Sequence, residues 1–191
     1  MGGEATQLVG GWKKVENSLE VRYGLVGSSQ LARNDCSNSV AACEEVSVVL
    51  LQLDRRGGIG KGLPSTLGMK LALPERPVLC LSGDGSALYT IQALWTAAHH
   101  DIPVVFVILN NGAYRILKLN MNRYRQEAGL ADRGYPHMDL SEPVIDFVAL
   151  ARGFGVTAER VDAPGDVGPA IERAFEANEP RLIDVLVDGS V

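Results

Sequence analysis

An acid, a glycine turn and an amide recur here at spacings that could do chemistry. Gly83-Asp84-Gly85-Ser86 closes one apolar run, and Asn110-Asn111-Gly112 closes the next. Mg²⁺ takes about six oxygen ligands in octahedral geometry and accepts only a few from protein, leaving the rest to phosphates and water. Asp84 offers a carboxylate, Asn111 an amide oxygen and Ala113 a backbone carbonyl. Gly83 and Gly85 let the chain turn sharply and let a phosphate approach the backbone. Ser86 is placed to start the following helix, with its N–H and hydroxyl toward an anion. A lone Gly-Asp-Gly is also an ordinary turn; the paired asparagines after the next strand favour a metal-diphosphate site.

These residues need two strand ends to meet. Pro77–Ser82 and Val104–Leu109 are continuous apolar runs bounded by turn residues, the pattern of strands buried on both faces of a parallel sheet. Between them Leu88, Ile91, Leu94, Trp95 and Ala98 follow helical spacing, which predicts one helix over Ala87–His100 with Trp95 in the core. Strand, helix and strand form a right-handed βαβ unit, and ligands of open α/β sheets lie at the carboxyl ends of the strands, where Asp84 and Asn111 fall. Further helices are expected over Leu63–Leu73, with Gly68 allowing close packing, over Val144–Arg152, and from Pro164 to about Asn178. Val156–Val161 and Leu182–Val187 read as strands, and Val46–Leu53 as a further candidate. The polar segment Arg123–Pro143 reads as a poorly ordered loop. The fold class is therefore α/β, a Rossmann-like three-layer sandwich with a mostly parallel sheet.

The motifs resemble the thiamine diphosphate signature, in which Gly-Asp-Gly opens and Asn-Asn closes a cofactor-binding segment. Gly57-Gly58-Ile59-Gly60, Leu63-Pro64, Ser86-Ala87, Ala93-Leu94-Trp95-Thr96-Ala97-Ala98 and Asn110-Asn111-Gly112-Ala113-Tyr114 are similar to the diphosphate-binding domain of benzoylformate decarboxylase. Acetolactate synthase and other 2-keto acid decarboxylases are broader relatives. The resemblance implies thiamine diphosphate and Mg²⁺ as cofactors. Asp84, Asn111 and the Ala113 carbonyl would hold the metal. Gly83, Gly85 and Ser86 would meet the diphosphate, with Ala113 beside them. Gly57 would bond the aminopyrimidine through its backbone, and Ile59 would lie under the cofactor and force its bent conformation. Leu117 and Asn120 match positions on the substrate side; Asn120 stands where the family has an aromatic residue, so an aromatic substrate does not follow.

The resemblance also implies what the partner must bring. In the family the cofactor lies between two domains, and a pyrimidine-binding domain supplies the activating glutamate. No residue of this chain is assigned a catalytic role. Residues 55–191 read as the cofactor-binding domain and residues 1–54 as a divergent N-terminal segment. The expected function is the cofactor-binding part of a 2-keto acid decarboxylase or carboligase, active with a partner domain on a separate chain or a missing segment. A non-catalytic remnant that folds and self-associates is the alternative. A Rossmann nucleotide binder is disfavoured, because Leu88 stands where Gly-x-Gly-x-x-Gly needs its last glycine.

Composition narrows the class. Of 191 residues 46% are hydrophobic, enough for a real core, and the net charge of −5 gives no nucleic-acid footprint. No apolar run approaches a membrane span. Three scattered cysteines fit a reducing cytoplasm better than a disulfide scaffold, and Cys36 and Cys43 fit no common zinc spacing. His99 and His100 read as surface residues at a helix end, where the helix dipole favours cations. Arg115, Lys118, Arg123 and Arg125 read as a solvated or subunit-facing basic run. A homo-oligomer is expected from the family pattern.

Overall fold

A computed structural model describes residues 59–190 together with the backbone of residues 41–42 and 47–50. Gly57, Cys36 and Cys43 lie outside the described residues. The elements, in chain order, are β1 (Ala41–Ala42), β2 (Ser47–Leu50), α1 (Gly62–Ala72), β3 (Val78–Gly83), α2 (Asp84–Ala87), α3 (Ala93–His99), β4 (Val105–Asn110), α4 (Arg115–Ala128), α5 (Phe147–Gly153), β5 (Thr157–Val161), α6 (Val167–Glu176) and β6 (Arg181–Leu186). One sheet runs in the order β1-β2-β3-β4-β6-β5. Every neighbouring pair is parallel except β1 with β2. The expected α/β architecture is present, and the candidate strand in Val46–Leu53 supplies β2.

Side-chain alternation along the strands builds two cores. Val78, Cys80, Phe106, Ile108, Ala158 and Leu182 pack with α1, α3 and α5 on one face. Leu79, Val105, Val107, Val161, Ile183 and Val185 pack against Ala170, Ile171 and Ala174 of α6 on the other. β4 is buried on both faces, which is why its sequence shows a continuous apolar run and no alternation.

Several expectations are corrected. The helix expected over Ala87–His100 is two pieces, because α2 ends at Ala87 and a turn intervenes before α3. The phase of α3 is set by Ala93, Leu94 and Ala97, which are buried. Trp95 therefore points outward, 53% exposed, and stacks on His99 with ring centroids 4.7 Å apart. Gly68 does not mediate close packing, since a Cβ there would meet nothing within 4 Å. The segment Arg123–Pro143 is also not the loose loop expected. Its first residues complete α4, which ends at Gly129 in the left-handed conformation, with the Leu130 N–H returning to the Arg125 carbonyl. The remainder is fastened to α4 by Lys118 to Asp139, by Arg125 to Asp132 and by the Tyr135 hydroxyl donating to Asn122. Two members of the basic run thus hold this loop and do not face open solvent. His99 and His100 are exposed, as expected. The helix expected to begin at Val144 begins at Phe147, because the Asp146 carboxylate caps it by accepting the Ala149 N–H at 3.0 Å.

The core supplies one direct test. Burial pushes the Cys80 thiol up to about 11, against a smaller lowering by a hydrogen bond with Thr66. Only about one thiol in a thousand would then be ionised at about pH 8. In a Cys36→Ser, Cys43→Ser background, iodoacetamide should leave the folded chain unmodified and label Cys80 only in denaturant. Mass spectrometry showing fast labelling of the folded chain would contradict the burial of β3.

Candidate cofactor-binding site

The strand register brings the two motifs together. Gly83, the last residue of β3, lies opposite Leu109 of β4. The next residue on the first strand is Asp84, and the next pair on the second is Asn110 and Asn111. Asp84 is only 3% exposed, and its carboxylate is held by backbone N–H groups. Oδ1 accepts from Gly85 N at 2.7 Å, and Oδ2 accepts from Asn111 N at 3.2 Å. A carboxylate has about four lone-pair sites, so two remain available to a cation.

The turn after β4 is built from amide side chains folded onto their own backbone. Asn110 Oδ1 accepts from Gly112 N at 3.2 Å, and Asn111 Oδ1 accepts from Ala113 N at 3.0 Å. Gly112 sits at φ +63°, a conformation that a larger residue would adopt only with strain. An antiparallel bridge joins Ala113 to Asp139, through Tyr114 N donating to Met138 O at 2.9 Å and Leu140 N donating to Gly112 O at 2.7 Å. This arrangement bypasses the Ala113 carbonyl, which accepts no hydrogen bond from the described residues although Ala113 is buried.

Glycine at position 85 is required by packing. A Cβ there would lie 2.6 Å from Cε1 and 2.7 Å from Cδ1 of the Tyr114 ring. Gly60 shows the same constraint, since its φ is +84° and an added Cβ would strike the Cβ of Tyr89. Its carbonyl accepts the Thr90 hydroxyl, which docks the segment after Ile59 onto the turn that follows α2. Ser86 is the third residue of α2 and does not begin the helix; Asp84 does. Ile59 is exposed, as are Leu117 and Asn120 on α4. Asp84, Asn111, Ala113, Gly83 and Gly85 thus converge at one sheet edge.

Sequence reasoning missed a second layer beneath the turn. Asp184 of β6 is fully buried and receives Asn110 Nδ2 at 3.0 Å and Arg160 Nε at 3.0 Å. The bond to Asp184 raises the Arg160 guanidinium above its usual range. Arg160 also reaches Asp146, the cap of α5, at 3.4 Å. The readable signal was one acid inside Leu-Ile-Asp-Val-Leu, since a charge within a buried strand must find a partner. The C-terminal residues close the edge: Val187 N donates to Asn110 O at 2.9 Å, and Arg115 Nε donates to Ser190 O at 3.0 Å.

The donor set is one carboxylate, one amide oxygen and one free carbonyl, all hard oxygens suited to Mg²⁺ or Ca²⁺ and not to a thiophilic metal. Among the described residues no three His, Cys, Asp or Glu side chains cluster as a metal site. A site using a single acid falls outside that pattern. The free Ala113 carbonyl, the spare carboxylate capacity and the glycine-lined edge fit a small cation with an attached anion.

Fold and site together define an α/β domain with a cofactor-binding edge at the carboxyl ends of β3 and β4. The profile described as "Thiamine pyrophosphate enzyme, C-terminal TPP binding domain" matches residues 52–185, and the chain belongs to this family. It is 43% identical over 135 residues to the Mycobacterium tuberculosis protein described as "Putative acetolactate synthase large subunit IlvX", covering 71% of this chain and 26% of that one. Benzoylformate decarboxylase of Pseudomonas aeruginosa is 42% identical over 130 residues, covering 68% of this chain and 23% of the relative. Among solved structures, the thiamine diphosphate-dependent 4-hydroxybenzoylformate decarboxylase of Rhodococcus jostii aligns with a TM-score of 0.63 at 43% identity, covering 70% of this chain and 24% of that one. The chain spans about a quarter of the length of these relatives.

The Gly85 contact can be tested without cofactor. Gly85→Ala should destabilise the chain by about 1–3 kcal/mol in urea unfolding, the usual cost of overpacking. Gly85→Ala with Tyr114→Ala should recover part of that loss relative to Tyr114→Ala alone. A Gly85→Ala chain as stable as the parent would show that the ring does not sit against this turn.

Proposed function

We propose that this chain is the thiamine diphosphate- and Mg²⁺-binding part of a 2-keto acid decarboxylase or carboligase, catalytic when a pyrimidine-binding domain completes the site. The observation that carries the reading is the buried Asp84 carboxylate, which joins the ends of β3 and β4 while keeping lone pairs free, with the Ala113 carbonyl two residues beyond Asn111 accepting no hydrogen bond from the described residues. Asp84, the Asn111 amide oxygen and the Ala113 carbonyl would hold Mg²⁺. Asn111 Oδ1 has already accepted one N–H and has a second lone pair for the ion. The backbone at Gly83, Gly85 and Ser86 would face the diphosphate. Ile59 would support the cofactor from below, and the Gly57 backbone would bond its pyrimidine.

Bound thiamine diphosphate supplies the electron sink that lets a 2-keto acid lose CO₂, while the protein binds, orients and tunes. This chain's part is anchoring and alignment. The proton-handling glutamate belongs to the partner domain on this reading. Leu117 and Asn120 lie on an exposed stretch of α4 and would face substrate across the completed interface. Pairing with a second copy and a cytoplasmic setting accord with this reading, and no helix among the described residues is long and apolar enough to cross a membrane.

A second reading is a non-catalytic remnant that still folds. Calorimetry with thiamine diphosphate and Mg²⁺ separates the two when a candidate pyrimidine-binding chain is added. The enzyme reading expects binding that tightens markedly with the partner, together with CO₂ release from a 2-keto acid. Asp84→Ala should abolish Mg²⁺-dependent binding, because it removes the only charged ligand of the set. Unchanged affinity in that variant would refute the assignment.

A further inference from the structure

β6 carries a costly feature that the proposed function does not use. Leu182, Ile183 and Val185 are buried and apolar, yet Asp184 between them is 0% exposed. A buried ion pair is often no more stabilising than well-packed apolar side chains of the same volume. The carboxylate therefore contributes little that an apolar residue could not supply to stability alone, and its contacts lead to the cofactor edge.

The sheet register explains how it reaches there. Asp184 lies opposite Ile108 on one side and Arg160 on the other. Asn110 is two residues beyond Ile108, on the same face of β4. Asp184 Oδ2 accepts from Arg160, and Oδ1 accepts from Asn110 Nδ2. A carboxylate is acceptor-only, so it selects one orientation of the Asn110 amide: NH₂ toward Asp184, oxygen toward Gly112 N. The flipped amide would leave an oxygen against an oxygen and an NH₂ against an N–H. Gly112 in turn lies between Asn111 and Ala113.

We propose that Asp184, anchored by Arg160, is a positioning residue that fixes the amide orientation of Asn110 and thereby the turn presenting the Asn111 and Ala113 oxygens to the metal. The inference rests on the metal-diphosphate reading above. The hydrogen bonds converge on Asp184, with Arg160 donating from one side and Gly112 N–H donating to Asn110, which donates to Asp184, from the other; this polarity is testable at constant side-chain volume. Asp184→Asn sets an amide between two donors and cannot satisfy both. Asn110→Asp places two carboxylates face to face. The double variant reverses the central bond: an aspartate at 110 accepts from Gly112 N and from the amide at 184, whose oxygen accepts from Arg160. Every donor again has an acceptor.

Two readouts apply to the full chain. Mn²⁺ retention is measured by the loss of free-ion paramagnetic resonance signal, with excess thiamine diphosphate and corrected for the ion held by thiamine diphosphate alone. Amide exchange at Gly112 is followed by NMR without ligand. Each single variant should weaken Mn²⁺ retention about ten-fold, the lower end for outer-shell changes at metal sites, and speed exchange at Gly112. The double variant should return to within about three-fold of the parent, a non-additivity expected only of directly coupled residues. Ala174→Gly, on the other face of the sheet, should lower the melting temperature yet leave Mn²⁺ retention unchanged. Single variants that hold Mn²⁺ like the parent, a double variant no better than the weaker single, or an equal loss in Ala174→Gly would overturn the proposal. A parent chain that retains no Mn²⁺ even with a candidate pyrimidine-binding chain added would instead count against the functional reading. In that event Gly112 exchange decides alone: acceleration in the singles and recovery in the double sustain the role of Asp184, and unchanged exchange removes it.

Discussion

The site depends on one buried carboxylate accepting backbone N–H groups from two strand ends. Burying an ionised group without partners is prohibitive, and Asp84 avoids that cost through Gly85 N and Asn111 N. Those bonds tie the end of β3 to the turn after β4, so Asp84, the asparagine turn and the glycine edge form one unit. The sheet beneath makes this possible. Gly83 opposite Leu109 is the last pair of the β3–β4 ladder, and a register shift of one residue would turn every core side chain of β4 outward. Core packing therefore fixes the position of Asp84 relative to Asn111.

The surroundings of that carboxylate hold the turn from several directions. Asn110 and Asn111 each use their side-chain oxygen on a backbone N–H two residues ahead, shaping the turn locally. The bridge between Ala113 and Asp139 adds a tertiary fastening, and Lys118 secures that bridge by pairing with Asp139. Val187 and Ser190 contribute from the end of β6. Gly189 lies so close to the Asn111 carbonyl that an added Cβ would collide with it. Such convergence suits a binding edge whose ligands must be aligned before the cofactor arrives.

The strands were legible because buried parallel strands leave a continuous apolar run, and the meeting of Asp84 with the asparagine turn was legible because the acid and amides follow those runs directly. Helix phase was less so. Leu88, Ile91, Leu94 and Trp95 share a spacing that one long helix would explain, but the turn between α2 and α3 resets the phase and turns Trp95 outward. Gly68 invited a packing explanation, although its position faces open space. The loop after α4 looked mobile from its polar composition, yet the same polar residues, Asp132, Tyr135 and Asp139, are its fastenings. Asp184 was visible as a letter but not as a partner, because its contacts with Arg160 and Asn110 span 24 and 74 residues of sequence.

These observations divide the work of the site unequally. The residues that would orient the metal and the diphosphate are buried or half-buried and sit on turns bonded to the sheet. The positions that would meet substrate stand on α4, where Ile116, Leu117 and Leu119 are all exposed. Leu117, at 47% exposure, has too little surrounding structure to define a pocket wall by itself. A selective pocket encloses most of its ligand, so on this reading substrate choice depends on the surface that closes over α4.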